Sequence, residues 1–332
     1  MTEPFNVLVS SAGRRVALLD IVRRSLRTLG LDGAVLAADA SPLSSAFHAA
    51  DLGVRVPRCE ANDFVSELLQ TCCSHNVRLV IPTIDPELPV LADARTSFEA
   101  EGCTIAISGP ETVAIGGDKL ATHHWLEARR FPTVRQAKPA EVLEDRGGWE
   151  LPVFVKPRAG SASLGARVVR DWEELAIASR DPELIVQELA PGDEYTVDVL
   201  VDRSGNGVCT VPRRRLEVRA GEVSKGVTVR DAVLEELARA VGEALPDAYG
   251  AVTVQIFLDR VERQPRVIEI NPRFGGGFPL ADRAGARFTQ WIIEEVAGLP
   301  TGASQAAWDA GVVMLRYDDA VFVNDVQAGL AR

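Results

Sequence analysis

Short apolar runs alternate with amphipathic helical segments throughout the first third of the chain. The run FNVLV (5–9) is followed, after a small-residue turn, by apolar side chains at three- and four-residue steps from Val16 to Leu29, and Gly30 ends that pattern. The alternation continues with further runs and helical segments at 34–39, 64–72, 77–83, 88–98 and 103–108. Strands that alternate with helices form parallel sheets covered on both faces, so we expect a doubly wound α/β domain over residues 1–112.

The first strand-to-helix turn bears on whether this domain binds a dinucleotide. Its sequence, SSAGR (10–14), does not have the GxGxxG spacing that brings a backbone close to a pyrophosphate. Asp39 stands at the end of the second strand, where an acid could accept from a ribose, but acids are common at strand ends. A dinucleotide site is therefore disfavoured.

Strands come in consecutive pairs in the rest of the chain. Strand-like segments lie at 151–157, 166–170, 184–202, 207–213, 215–221, 252–259 and 266–273, and helical segments lie at 111–130, 171–179, 230–245 and 280–297. Consecutive strands indicate antiparallel sheet, so the α/β part is followed by an α+β part. We expect two units here, residues 113–185 with a Gly/Ser-rich loop and residues 186–332.

The charge balance and the cysteines exclude some classes of partner and setting. Acidic residues outnumber basic ones by 47 to 36, so the chain has no overall basic surface for nucleic acid. No apolar run is long enough to cross a membrane. The five cysteines form no CxxC pair and are odd in number, which favours a reducing cytoplasm over a disulfide framework.

Lysine is rare among the 36 basic residues of this chain. It occurs at four positions, Lys119, Lys138, Lys156 and Lys225. Lysine presents a compact charge to a phosphate, whereas arginine serves as the general cation here. The retained lysines are therefore candidates for a functional site.

Lys156 ends a strand that leads into a loop of small residues. The loop, RAGSASLG, holds Gly160, Ser161, Ser163 and Gly165. Backbone N–H groups of such a loop can fold over anionic oxygens while the lysine neutralises their charge. The P-loop pattern GxxxxGK[ST] does not occur in the chain, and an ordinary Gly-rich hairpin is the alternative interpretation.

The segment QELAPGDEY (187–195) places two strands around a Pro-Gly turn. Gln187, Glu188 and the backbone near Ala190 could face the edge of a base, and Glu194 could accept from a diol such as ribose. A plain acidic hairpin is the alternative.

Polar side chains alternate along the strand RVIEINPR, which is the most specific of these patterns. A period of two puts Glu269, Asn271 and Arg273 on one face, and Gln255 lies on the preceding strand. Carboxylate and amide oxygens are the hard ligands that Mg²⁺ prefers, and an adjacent arginine can stabilise charge on a transferring phosphoryl group. A strand in a protein core does not normally bury three such residues together.

Taken together, these segments resemble the ATP-grasp superfamily, and more narrowly its carbamoyl-phosphate-synthase-like branch, which includes many carboxylate–amine ligases. The motifs that carry the resemblance are GGDK (116–119), VFVKPRAGSASLG (153–165), VQELAPGDEY (186–195), VTVQIFLD (252–259) and VIEINPRFGGG (267–277). The resemblance implies a pre-ATP-grasp domain followed by an ATP-grasp fold with a small lid subdomain. The chain departs from carbamoyl phosphate synthase in having one ATP-grasp unit instead of two, so a bicarbonate-specific activity is not implied.

By position, the resemblance implies how ATP is bound. Lys119 and Lys156 would contact its phosphates beneath a mobile lid formed by 158–165. The adenine edge would be held by Gln187, Glu188 and Ala190, and Glu194 would bind ribose.

The resemblance also implies a metal site. Glu269 would bridge two Mg²⁺ ions (Mn²⁺ is a possible substitute), with Gln255 and Asn271 completing the coordination, and Arg273 would stabilise phosphoryl transfer and the acyl phosphate. Many members of the superfamily carry an acid where this chain has Gln255, which leaves one ligand neutral.

Substrate residues are expected in three places. Cations gather in RRRLEVRAGEVSKG (213–226), where Lys225 is the favoured catalytic candidate. The expected substrate contacts are Arg213, Arg215, Arg219 and Lys225 in that segment, Gly275 and Gly276 after the metal strand, and Asp85 and Glu87 in the N-terminal domain. A solvated basic strand, a simple turn and helix capping are the respective alternatives.

The expected activity is phosphorylation of a substrate carboxylate by ATP, followed by attack of an amine or amino acid and release of ADP and phosphate. The partners are therefore small molecules, with no nucleic acid and no membrane, and a homodimer is possible. A small-molecule kinase and a non-catalytic nucleotide-binding module are the alternatives. The metal-binding residues argue against the second of these.

Overall fold

The computed structural model describes residues 3–160, 165–219 and 221–324. Ser161 and Ser163 of the predicted lid lie outside these described residues. No helix within the described ranges is both long enough and apolar enough to span a membrane.

The first third of the chain forms a parallel five-stranded sheet in the order β3-β2-β1-β4-β5. Its strands are β1 (Asn6–Val9), β2 (Val35–Asp39), β3 (Leu52–Arg55), β4 (Val77–Ile81) and β5 (Thr104–Ile105). The helices are α1 (Val16–Leu29), α2 (Ser45–Ala49), α3 (Phe64–Ser74) and α4 (Leu88–Ala100), with a short 3₁₀ turn at Asp85–Glu87. The predicted doubly wound α/β fold is confirmed.

Alternate side chains of β1 show that both faces of this sheet are covered. Val7 and Val9 pack in the core cluster that contains α1, and Leu8 packs in the cluster that contains α3 and α4. Since β1 and β4 are parallel neighbours, the turns that follow them lie side by side at the same edge of the sheet. That edge presents Ser11, Arg15 and Asp85 together.

The helical stretch predicted over 111–130 is two helices, α5 (Pro110–Gly117) and α6 (Lys119–Ala128). Asp118 separates them because its side chain accepts from the backbone N–H groups of Leu120 (2.9 Å) and Ala121 (3.2 Å), an N-cap. This break places Lys119 at the start of α6, close to the predicted lid.

A small antiparallel sheet follows, in the order β6-β9-β7-β8. Its elements are β6 (Gln136–Ala137), α7 (Pro139–Glu144), β7 (Val153–Pro157), β8 (Arg167–Val169), α8 (Trp172–Ala178) and β9 (Leu184–Glu188). The central pair brings β7 and β9 into register, with Phe154 opposite Gln187 and Lys156 opposite Ile185.

The last part of the chain forms a six-stranded antiparallel sheet in the order β14-β13-β10-β11-β12-β15. Its elements are β10 (Asp193–Val201), β11 (Gly207–Arg219), β12 (Glu222–Thr228), α9 (Ala232–Ala244), β13 (Gly250–Leu258), β14 (Pro265–Asn271), α10 (Phe278–Ala284), α11 (Phe288–Val296) and β15 (Val313–Leu315). Two predictions are corrected here. The strands expected at 207–213 and 215–221 are the single strand β11, and the helix expected at 280–297 is interrupted at Gly285.

The six-stranded sheet has one face that packs against α9 through a mainly apolar core and one divided face. Val197 and Val199 of β10 pack with α9 on the first of these faces. On the other face, residues near one end of the strands, such as Leu200 and Val211, join the core that contains α1 and α11. The other end of that face is polar and open. Because the N-terminal sheet and this sheet share a core, the β1–α1 turn is held beside the open polar end.

Candidate active site

A cavity of about 670 Å³ lies between the four-stranded and the six-stranded sheets and reaches the β1–α1 turn. It brings together most of the residues that the sequence selected. Those that line it are Lys119, Lys156, Gly160, Gln187, Ala190, Glu194, Arg213, Arg215, Gln255, Glu269, Asn271, Arg273, Gly275 and Gly276.

Two buried lysines approach the cavity from different elements. Lys156 on β7 is 7% exposed and donates to the Gln187 side-chain oxygen at 2.6 Å. Lys119 on α6 is 8% exposed and donates to the Gly160 carbonyl at 2.7 Å. Neither has a carboxylate partner in the part of the chain that the structure describes. Both ammonium groups are therefore free to neutralise an anion that enters the cavity.

The pKa of Lys156 is lowered to about 8, because burial disfavours its charged form. The positive charge of Lys119 lowers it further, whereas Glu269 and Glu194 act in the opposite direction. Phosphate oxygens beside the ammonium would favour the charged form. The site is thus built to gain a proton when an anion binds.

An apolar slot lies next to these lysines. Its walls are contributed by both sheets and consist of Phe154, Val168, Leu189, Phe257 and Ile268. Such walls, with Gln187 and Ala190 at the edge, suit a flat aromatic ring. The Glu188 side chain does not join them, since it accepts from Arg266 at 2.8 Å outside the lining of the cavity.

Glu194 lies at the start of β10 and forms an ion pair with Arg215 on β11. The same Arg215 nitrogen is 3.4 Å from the Gln255 side-chain oxygen. Burial raises the pKa of Glu194, and the charge of Arg215 opposes that rise. Arg215 was predicted to contact the substrate, but its position connects the candidate ribose acceptor with a candidate metal ligand.

The candidate metal ligands meet on two neighbouring strands. Gln255 on β13 is directly opposite Glu269 on β14, and the Asn271 amide donates to Glu269 Oε1 at 3.1 Å. The described residues contain no group of three or more His, Cys, Asp or Glu side chains that could hold a metal. One carboxylate oxygen and two amide oxygens are suitable ligands for Mg²⁺. The remaining ligands would be phosphate oxygens and water.

Arg273 follows β14 and is held by the N-terminal domain. Its guanidinium donates to both carboxylate oxygens of Asp85, at 2.6 and 2.7 Å, and lies 3.4 Å from the Asn271 side-chain oxygen. Asp85 does not line the cavity. Its position therefore corrects the predicted substrate contact: Asp85 orients Arg273 instead.

Arg213 lines the cavity but its charge is already neutralised. It pairs with Asp198 through two hydrogen bonds of 2.6 and 3.0 Å, and both side chains are almost fully buried. A Cβ at Gly277 would collide with its guanidinium, which explains why the chain has glycine there. Arg213 therefore supports the glycine loop at 275–277.

Four other predicted site residues, Lys225, Arg219, Glu87 and Gly165, lie outside the lining of the cavity. Lys225 is half exposed and pairs with Glu217 at 2.7 Å, because the β11–β12 hairpin directs it away from the lining. Arg219 is exposed and pairs with Asp318 at 3.3 Å.

Glu87 is fully buried and has a structural role. It accepts from the hydroxyls of Ser10 (2.6 Å) and Ser11 (2.8 Å) and from the backbone of Thr83 (2.7 Å) and Ile84 (3.1 Å). These contacts join the turns after β1 and β4.

Gly165, at the far end of the predicted lid, is among the residues that the structure describes, but it does not line the cavity.

The cavity also contains polar residues that sequence reasoning missed. They are Arg15, Thr196, Glu222 and Thr253. Thr196 lies two residues after Glu194, and Thr253 lies two residues before Gln255. The period of two along a strand could therefore have predicted both threonines. Arg15 directly follows the turn at the carboxyl end of β1, and Glu222 begins the strand that was not anticipated.

Comparisons with known proteins agree with this architecture. Residues 7–106 match the family model "PylC-like, N-terminal domain", and residues 116–277 match the model "ATP-grasp domain". The D-alanine–D-alanine ligase of Mycolicibacterium vanbaalenii is 30% identical over 179 residues, which are 51% of this chain and 47% of that protein. The corresponding ligase of Corynebacterium aurimucosum is 28% identical over 157 residues, 44% of each chain. The chain thus spans about half the length of the curated relatives it matches.

Solved structures share the fold at low identity. The biotin carboxylase domain of a 2-oxoglutarate carboxylase from Hydrogenobacter thermophilus, solved with MgADP, ADP and bicarbonate, has a TM-score of 0.72 at 17% identity, covering 94% of this chain and 74% of that one. An N5-carboxyaminoimidazole ribonucleotide synthetase from Thermotoga maritima has a TM-score of 0.64 at 19% identity, covering 91% of this chain and 78% of that one. The predicted arrangement, a doubly wound domain followed by an ATP-grasp fold, is confirmed.

Proposed function

We propose that the protein is an ATP-dependent carboxylate–amine ligase, because residues 116–277 match the model "ATP-grasp domain". It phosphorylates a substrate carboxylate, and an amine then attacks the acyl phosphate to form an amide or peptide-like bond. The products are the amide, ADP and phosphate.

One observation carries the proposal. The same cavity is lined by the two buried lysines, which have no carboxylate partner among the described residues, by the Gln255–Glu269–Asn271 oxygen set and by Arg273. A nucleotide-binding module that performs no chemistry has no need for oxygen ligands and an arginine held by a second domain. Phosphoryl transfer depends mainly on positioning and on charge neutralisation, and these residues provide both.

The groups divide the cavity into two functional ends. The apolar slot at Phe154 and Ile268 takes the adenine, Glu194 accepts from the ribose, and Lys119 and Lys156 neutralise the phosphates. This orientation directs the terminal phosphate towards Glu269 and Asn271. The substrate carboxylate then approaches from the side of the glycine loop and the N-terminal domain.

The oxygen set holds the metal in this proposal. Glu269 carries the single carboxylate and would hold Mg²⁺ (two ions in this proposal), and Gln255 and Asn271 would be neutral ligands. The ions supply neutralisation of negative charge on the phosphate oxygens when they are bound. A single protein carboxylate binds free Mg²⁺ weakly, so these residues would hold the metal together with phosphate oxygens of the nucleotide.

The chemistry needs no protein nucleophile. A carboxylate oxygen of the substrate forms a bond to the γ-phosphorus as the bond to the ADP oxygen breaks. The amine nitrogen then attacks the acyl carbon, loses a proton, and phosphate leaves. Arg273 stabilises the negative charge at the first of these steps and remains oriented by Asp85.

Measurement of ADP release tests the proposal. A panel of carboxylic acids is assayed with MgATP, with and without a panel of amines and amino acids. We expect ADP release that requires both an acid and an amine. Formation of a stable phosphorylated product without an amine would instead identify a small-molecule kinase.

A matched pair of variants tests the assignment of the metal site. Glu269→Ala should abolish ADP release and leave the melting temperature close to that of the wild type. Glu262→Ala, in the exposed turn between β13 and β14, is the control and should be fully active. Full activity in Glu269→Ala would refute the site.

A further inference from the structure

Arg15 is the one residue from the described N-terminal part, before Lys119, that lines the cavity. It follows the turn after β1 and precedes α1, at the carboxyl edge of the parallel sheet. Ligands of open α/β sheets bind outside this edge. Arg15 is therefore the contribution of the N-terminal domain to the wall of the cavity.

The charge of Arg15 has no acidic partner among the described residues. Its guanidinium donates from Nη2 to the backbone oxygen of Thr83 at 3.1 Å, and no carboxylate forms an ion pair with it. Burial and the neighbouring charge of Arg273 lower its pKa, and the charges of Glu222 and Asp85 act in the opposite direction. Because neither carboxylate bonds to it, the partly desolvated guanidinium keeps hydrogen-bonding capacity for an anion from outside the protein.

The surroundings of Arg15 leave room for such an anion. A Cβ at Gly276 would lie 3.5 Å from Arg15 Nη1 and 3.5 Å from the Glu222 carboxyl carbon, so the glycine keeps the space beside the guanidinium open. Glu222 is held by Arg316 at 2.8 Å, and this contact neutralises its charge. The open space at Gly276 is therefore bordered by the Arg15 guanidinium, which has no ion-pair partner among the described residues, and by Glu222, whose charge Arg316 offsets.

Arg15 and Arg273 serve different parts of this end of the cavity. Arg273 contacts Asn271, a candidate metal ligand, and is neutralised by Asp85. Arg15 contacts Thr83 and borders Gly276, and it makes no contact with a candidate metal ligand. A carboxylate on Arg15 is therefore separate from the carboxylate that receives the phosphoryl group.

We propose that Arg15 binds a substrate carboxylate that the reaction leaves unchanged. This proposal rests on the ligase function proposed above. Two substrates could supply the group. If the phosphorylated acid reaches Arg15, that acid is a dicarboxylate. If the amine reaches it, the amine is an amino acid with a free carboxylate. A guanidinium suits either one, because its planar fork pairs with a carboxylate through two hydrogen bonds.

A binding experiment tests the proposal without requiring turnover. The protein is saturated with Mg²⁺ and a non-hydrolysable ATP analogue, and calorimetry then measures the binding of two sets of compounds. One set contains the C3 to C6 dicarboxylates with their monoamides, and the other contains the twenty amino acids in both configurations with their amides. We expect a compound in one set to bind in the millimolar range or tighter, and its amide to bind about tenfold more weakly.

Variants at neighbouring arginines make the test specific. Arg15→Ala should bind the acid and its amide equally, and the affinity for the ATP analogue should not change. Arg14→Ala is the control, since Arg14 is exposed on the same turn, and should behave as the wild type. If Arg15→Ala does not fold, Arg15→Lys replaces it in the test. Lysine keeps the positive charge but not the planar guanidinium, so this variant should bind the acid more tightly than the amide by a smaller factor than the wild type does.

Two results would overturn the proposal: a difference between acid and amide that persists in both Arg15 variants, or no binding of any compound to the wild type. Failure of the proposed ligase function would give a different result: the acid would bind through Arg15, but ADP release would never require an amine.

Discussion

The Lys156 ammonium donates to the Gln187 side-chain oxygen at 2.6 Å, across the central strand pair of the small sheet. The contact holds the lysine at the junction between the apolar slot and the polar face of the larger sheet. A neutral amide partner orients the ammonium but does not cancel its charge. The charge therefore remains available for phosphate.

This arrangement predicts a pH dependence of nucleotide binding. The pKa of Lys156 is about 8 in the free protein, and phosphate contact raises it. Binding therefore takes up a proton above pH 8, and MgADP affinity should fall by about tenfold between pH 7 and pH 9. Calorimetry in buffers of different ionisation enthalpy measures both the affinity and the proton uptake.

Lys156→Arg provides the control for this prediction. Arginine does not titrate in this range, so the affinity of the variant should be nearly constant between pH 7 and pH 9. An equal loss of affinity in the variant and the wild type would assign the dependence to another group.

The Glu194–Arg215 pair predicts selectivity for the ribose. In the proposed function Glu194 accepts from the sugar hydroxyls, so Glu194→Ala should weaken ATP binding by about tenfold. The variant should also lose the preference for ATP over its 2′-deoxy and 3′-deoxy forms. Glu217→Ala removes an exposed glutamate of β11 and should keep that preference. Competition binding against a fluorescent nucleotide measures all of these, and an unchanged preference in Glu194→Ala would exclude the ribose role.

The contact between Asp85 and Arg273 predicts a loss of rate without a loss of nucleotide affinity. Asp85→Asn removes the charge that orients Arg273, and misplacement of a group that stabilises phosphoryl transfer costs about ten- to a hundredfold in kcat. MgATP affinity should change by less than about twofold, since Asp85 is outside the cavity lining. Asp93→Asn, an exposed site on α4, serves as the control. An unchanged kcat in Asp85→Asn would show that the contact is merely structural.

Local patterns were enough to predict much of the fold and part of the site. The helix from Val16 to Leu29 ends at Gly30, which adopts a left-handed conformation (φ 65°), as its sequence indicates. The alternation along β14 also places Glu269 and Asn271 in the cavity lining. These features depend on neighbours within one element, so sequence periodicity reports them directly.

Features set by long-range pairing were not predicted. Lys225 shares its segment with Arg215, but the register of β11 with β12 directs Lys225 to an exposed edge and Arg215 to the cavity. Arg15 lies more than two hundred residues from Gly276 and meets it because α1 packs against α11. No local pattern encodes such contacts, since they arise when the two domains share a core.

Positional isotope transfer tests the central claim most directly. An acid that supports ADP release is labelled with ¹⁸O in its carboxylate and incubated with MgATP and the amine, and the released phosphate is analysed by mass spectrometry. Because the acyl phosphate takes one carboxylate oxygen with it, we expect one ¹⁸O atom in each phosphate formed. Unlabelled phosphate, with one labelled oxygen kept in the amide and the other released to water, would contradict an acyl phosphate and with it the proposed ligase.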